Sequence, residues 1–213
     1  MNFNRLLNEV LNTVTKSAGK INKPSQTTAD TITKVGGGAA LAGILSMVLG
    51  RSGGAKLTKL GSLAALGSLA YQAYQKYQQN QSATQSGSPL SAEAFTAMPQ
   101  PEEGSALILR TMIAAAISDG VLDDNEKALI SQEAGNDPEL QNWLTQEVEN
   151  PIAVTEIARL VGNDTALASQ VYLAARMVCQ DLSRKEIVFL GQLAQALHLE
   201  DGLVEQLEKQ AGF

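Results

Sequence analysis

Cysteine, histidine and tryptophan each occur once in this sequence of 213 residues. The lone Cys179 excludes an intramolecular disulfide, and its place in an apolar helical run marks it as a packed thiol suited to a reducing compartment. A zinc site needs more ligands than His198 and Cys179 supply. A catalytic triad would have one candidate base and no visible group to orient it. Walker loops and dinucleotide fingerprints are missing, so the common phosphate-cradling chemistries find no support. The start, MNFNRLLNEV, lacks the basic leader, unbroken apolar core and cleavage site of a secretory signal, and export by that route is not expected.

What is present is divided sharply along the chain. Residues 1–80 hold nine Lys/Arg against Glu9 and Asp30, whereas residues 81–213 hold seven against twenty Asp/Glu, so the net charge of −6 hides two unlike halves. A basic segment beside apolar stretches is drawn to anionic surfaces, and an acidic globular half is repelled by them. The basic residues border apolar runs and are not interleaved with aromatics, which points away from nucleic acid.

Apolar residues at Phe3, Leu6, Leu7, Val10, Leu11 and Val14 form the stripe of one helix face, opposite Asn4, Arg5, Asn8, Glu9, Asn12 and Thr15. Such a helix can lie on a membrane, pair with a partner helix or dock on its own domain. Residues 17–33 read as a linker, so residues 1–33 are an amphipathic helix and its tether.

Two uncharged apolar runs follow, Val35 to Gly50 and Leu60 to Gln75, joined by the basic turn RSGGAKLTK. They predict a Gly/Ala-rich helical hairpin over residues 34–79. Each sixteen-residue run reaches roughly 24 Å, short of the about 30 Å of a bilayer core. Small residues four apart, such as Gly36 and Ala40, Ala39 and Gly43, or Gly61 and Ala65, allow close helix approach in lipid. Lys34, Arg51, Lys56, Lys59 and Lys76 bracket the runs, and Tyr71, Tyr74 and Tyr77 gather at one end as interfacial anchors do. A hairpin buried in a soluble core is the competing reading. Residues 80–101, rich in Gln, Ser and Pro, read as a flexible linker.

Residues 102–213 read as an all-α domain of seven helices, over 104–118, 124–134, 138–148, 151–161, 165–180, 184–197 and 201–210. Asp137 before Pro138 and Asn150 before Pro151 place a capping side chain ahead of proline at the first helical position. Asp123 with Glu126, and Ser183 with Glu186, have capping-box spacing. The first and later helical pairs echo each other, each an Ala-rich helix ending in Asp, a turn and a capped helix.

The stretch AISDGVLDDNEKALI resembles the Asp-Gly-x-Leu-Asp-x-x-Glu turn of TerB-like (tellurite-resistance) domains, and QDLSRKEIVFLGQLAQALHLEDGLVEQLEKQ resembles their second capped hairpin. With the apolar preface, the whole chain is similar to the YebE family of bacterial inner-membrane proteins, whose biochemical role is unknown. The resemblance implies an all-helical domain and inner-membrane association, and it implies no reaction.

Asp119, Asp123, Asp124 and Glu126 form the densest carboxylate cluster, a donor type that hard cations take. Their spacing is not that of an EF-hand loop: counted from Asp119, the third position is Val121 and the twelfth Ile130. Helix capping accounts for the cluster, and a cation site is the alternative. Gly50 to Gly54 spell Gly-x-Ser-x-Gly, but no strand precedes them as a nucleophile elbow requires. Trp143, with Leu140, Leu144 and Val148, marks one side of a helix as core or partner surface. The expectation is a non-enzymatic interaction or scaffold protein without a cofactor, tethered at the inner membrane with its C-terminal domain in the cytoplasm. Its expected partners are the bacterial membrane and a protein partner or second copy.

Overall fold

The computed structural model describes residues 2–18, 62–80, 89–96, 101–118, 138–179 and 182–213. Every regular element among them is a helix. In chain order these are α1 (Phe3–Ala18), α2 (Leu63–Asn80), α3 (Ala92–Thr96), α4 (Pro101–Ala116), α5 (Pro138–Glu149), α6 (Val154–Val161), α7 (Thr165–Val178), α8 (Arg184–Ala196) and α9 (Asp201–Ala211).

The sequence of α7, TALASQVYLAARMV, is apolar nearly all round, and a helix of that kind has to be enclosed. It is, by α2, α3, α4, α6, α8 and α9. Its alanines let the neighbours approach, while Val171, Leu173 and Met177 fill the space between them. The heaviest of the other layers is α4, which lays Leu107, Ile108, Met112 and Ala115 into the same core. On the far side of α4 lies α1, with Leu6, Leu7, Val10 and Leu11 buried. Of the three roles open to that amphipathic helix, the structure selects docking on its own domain. Two polar ties fix it: Phe3 N donates to Glu102 Oε2 at 2.7 Å, and Asn8 Oδ1 accepts from Leu63 N at 2.9 Å. The second caps the start of α2 from a different helix. Trp143 on α5 tilts against Phe3 with ring centroids 5.3 Å apart, so it seals α1 onto the domain.

Six of the expected helices of the acidic half stand at nearly the expected positions. The other, 124–134, lies outside the described residues, as does the apolar run 35–50. The Ser183–Glu186 capping box forms in both directions, and Asp164 caps α7 through Leu167 N at 2.9 Å. The cap expected at Asn150 does not form. Residues 151–153 are not helical, with Ala153 extended and Ile152 buried in the core, and α6 begins at Val154 with no side-chain cap.

The largest departure concerns the second apolar run. It forms α2, and α2 packs on α3, α7 and α9 with Leu66, Gly67, Ala70, Ala73, Tyr74 and Tyr77 buried, while Gln72, Gln75, Lys76 and Gln79 face solvent. Tyr74 and Tyr77, read as interfacial anchors, are core residues. Within the expected linker, Phe95 of α3 is fully enclosed, with its ring 5.5 Å from that of Tyr71 and 5.4 Å from that of Tyr74. The compact unit therefore draws on residues ahead of the boundary read at residue 102. The physical reason is Gly67, whose missing side chain lets α2 run against the backbone of α3. Small residues that suit close packing in lipid serve close packing here as well.

Candidate functional site

The carboxylates singled out in the sequence, Asp119, Asp123, Asp124 and Glu126, lie outside the described residues, as do Gly50 to Gly54. Among the described residues no three His, Cys, Asp or Glu side chains gather as a metal ion requires.

His198 is exposed and its backbone is left-handed, at φ 54°. Its N–H donates to Gln195 O at 3.1 Å, and Leu199 N–H donates back to Ala194 O at 3.0 Å. These are the two bonds of a Schellman motif, with the histidine where glycine is usual and the buried Leu199 as its apolar latch. The histidine thus closes a helix end through its backbone. Cys179 is buried at the end of α7, its Sγ 4.0 Å from Ala115 O.

The structure also forms a cleft that the sequence did not disclose. It lies between α3, α4, α6 and α7, encloses about 450 Å³, and has an apolar wall of Ala94, Leu107, Leu160, Val161 and Leu167. Its size and lining are those of sites that take an apolar group. Leu160 is 43% exposed at the mouth. Glu103, Arg110, Asp164 and Gln170 complete the lining. The Arg110 guanidinium sits 2.7 Å from Oε1 of the nearly buried Glu147. Gln170 donates its side-chain N–H to Phe95 O at 2.9 Å, and the Asp164 carboxylate is spent on its helix cap. These bonds shape the cleft. Along α6, hydrogen bonds from Arg159 hold the Glu156 carboxyl below its ordinary range. The one sequence signal for the cleft is Leu160 itself, an apolar residue off the Ile157–Val161 stripe of a short helix.

A small all-helical domain wrapped round one buried helix, with an apolar cleft on its flank, is the class of protein that this architecture defines. The chain belongs to the family described as "Protein of unknown function (DUF533)", whose profile matches residues 34–211. No curated protein and no solved structure is significantly similar to it.

Proposed function

We propose that this chain is a non-enzymatic interaction scaffold held at the bacterial inner membrane, with its helical domain in the cytoplasm. In this reading the domain is TerB-like and the whole chain is of the YebE kind. The observation that carries the scaffold reading is the state of the cleft's polar groups: Arg110 is ion-paired with Glu147, and Asp164 and Gln170 are engaged in hydrogen bonds, so apart from Glu103 the wall left to a visitor is apolar. With Glu103 and Asp164 at its edge, on a strongly acidic half, the cleft suits an apolar side chain carried on a basic segment of a partner protein.

Membrane attachment falls to residues 35–50, since α2 is occupied by the core. One family profile spans that run together with the helices that follow it, which favours treating them as one functional unit. No helix among the described residues is long and apolar enough to cross a membrane. Attachment therefore rests on the run at 35–50, whose sixteen residues suit dipping into one leaflet better than crossing.

The test is fractionation of the full chain. Wild type is expected to stay with inner membranes through a high-salt wash, and a chain carrying Leu45→Asp and Val48→Asp to move to the soluble fraction. External protease on spheroplasts is expected to spare the helical domain. Wild type in the soluble fraction without detergent refutes attachment. The alternative role, a cation at Asp119, Asp123, Asp124 and Glu126, is separated by calorimetric titration with calcium, magnesium, manganese and zinc. Micromolar binding lost in Asp119→Asn would favour it over the scaffold.

A further inference from the structure

Toward the end of α4 remote from the cleft, a second surface stands out by its composition. The large apolar side chains left exposed among the described residues are Leu160, Leu182, Ile187 and Val188, at 43%, 38%, 53% and 52%. Singly scattered apolar residues are ordinary on a protein surface, but three of these four fall within 182–188, around the exposed Arg184 and Lys185. Leu182 adds a conformational cost. Its backbone is left-handed at φ 47°, a region that leucine rarely adopts, and the Ser183–Glu186 capping box that follows holds it there. The same box draws the Glu186 carboxylate to Ser183 N at 2.7 Å, turning the nearest acid of α8 into the helix end. Behind the stretch the apolar surface continues into a groove of about 880 Å³, bordered by Ile117, Val148, Ile152, Val188 and Phe189 and lined also by Glu149, Arg184 and Lys185.

Charge decides what fits. In a half with seven Lys/Arg against twenty acids, Arg184 and Lys185 are adjacent, exposed and joined to aliphatic side chains. An acidic domain tethered beside an anionic bilayer is repelled by it, except through a face of this composition. Aliphatic side chains flanked by cations are what interfacial segments place at the boundary between headgroups and acyl chains.

We infer that the start of α8 is a docking surface for anionic lipid, in which Leu182, Ile187 and Val188 enter the interface and Arg184 and Lys185 meet lipid phosphates. The inference rests on the membrane attachment proposed above and adds an orientation, with α8 against the bilayer and the cleft turned toward the cytoplasm.

An environment-sensitive fluorophore on Ile187→Cys in the full chain tests it, because the native Cys179 is fully buried and shielded from labelling. Vesicles of phosphatidylcholine with 30% phosphatidylserine are compared with pure phosphatidylcholine, and flotation is scored in parallel. The expected result is a blue shift and brightening at 187 with the anionic vesicles alone, with little change for a probe at Gln72→Cys on the exposed face of α2. Arg184→Glu with Lys185→Glu, which places acids in a first helical turn where they do not harm folding, is expected to raise the lipid concentration for half-maximal signal about tenfold or more. The signal is expected to persist, at higher lipid, in the Leu45→Asp and Val48→Asp chain. Flotation with a dark probe at 187 overturns the docking surface and leaves attachment through 35–50 standing. Brightening in Leu45→Asp and Val48→Asp without flotation of wild type through a salt wash upholds the surface and overturns the anchor. Brightening without lipid that grows with protein concentration assigns the face to a second copy and overturns the inference, as does equal brightening with both vesicles.

Discussion

Replacing Gly67 by alanine separates a helix packed in the core from a helix packed in lipid. In an exposed helix the change stabilises by about 1 kcal/mol, since alanine loses less backbone freedom on folding. Gly191, in the middle of α8 with open space where a Cβ would stand, supplies that reference. At Gly67 the new Cβ overlaps the carbonyl oxygen of Phe95 and stands 3.1 Å from its carbon. Both atoms are backbone, so α2 and α3 have to separate. Overpacking of this kind costs roughly 1–3 kcal/mol. The same carbonyl accepts from the buried Gln170 at 2.9 Å, and pulling it away strands an amide at about 1–3 kcal/mol more. Against the helix gain of about 1 kcal/mol, the net expectation is a loss of roughly 1–5 kcal/mol. Urea unfolding of the full chain followed by circular dichroism measures it, with Gly191→Ala alongside. Opposite signs for the two substitutions support the packing described above. A Gly67→Ala chain as stable as Gly191→Ala would refute the placement of α2 against α3.

His198→Gly should stabilise by about 1 kcal/mol, because glycine adopts the left-handed Schellman position without the Cβ penalty; the melting temperature checks it, and a loss would mean the imidazole does more than close α8. Arg176 is buried, reaches Cys179 O at 2.7 Å and Glu208 Oε1 at 3.3 Å, and stacks 4.0 Å from the Phe213 ring centroid. Lysine cannot make all three contacts, so Arg176→Lys should cost roughly 2–4 kcal/mol in urea unfolding. Burial, aided by its 2.8 Å hydrogen bond to Glu208, pushes the Tyr172 phenol well above its ordinary value of 10.0. The unfolded chain releases that proton first, so the stabilisation is complete below about pH 10 and falls above it, by at most about 1.4 kcal/mol per pH unit. Tyr172→Phe should flatten the decline between pH 10 and 11 in unfolding titrations, and an unchanged slope would refute the assignment.

The helices of the acidic half were legible because each is written in local terms. Ser183 and Glu186 satisfy one another's backbone partners, Asp164 finds Leu167 N, and the continuous apolar character of 165–178 requires enclosure whatever surrounds it. The stripe Leu6, Leu7, Val10 and Leu11 likewise announced a buried face, but no sequence period says which surface buries it. Glu102 and Trp143 answered that from about a hundred residues and more away in the chain. Among the candidate site residues, His198 was correctly placed at a helix end, yet its left-handed backbone follows from a turn that only coordinates reveal.

Composition settled the division of charge and the scarcity of cysteine and histidine, and local pattern the all-helical class. Tertiary structure alone decided the fate of the second apolar run. Small residues four apart permit close approach of two helices in lipid and in a protein core alike, because in both media the gain comes from backbone contact and not from the side chain. Gly67 has Leu63 and Tyr71 four residues to either side, so no such pair announces that something approaches it closely. That the something is the carbonyl of Phe95, in a segment with no period of its own, depends on a contact across twenty-eight residues that local pattern does not encode.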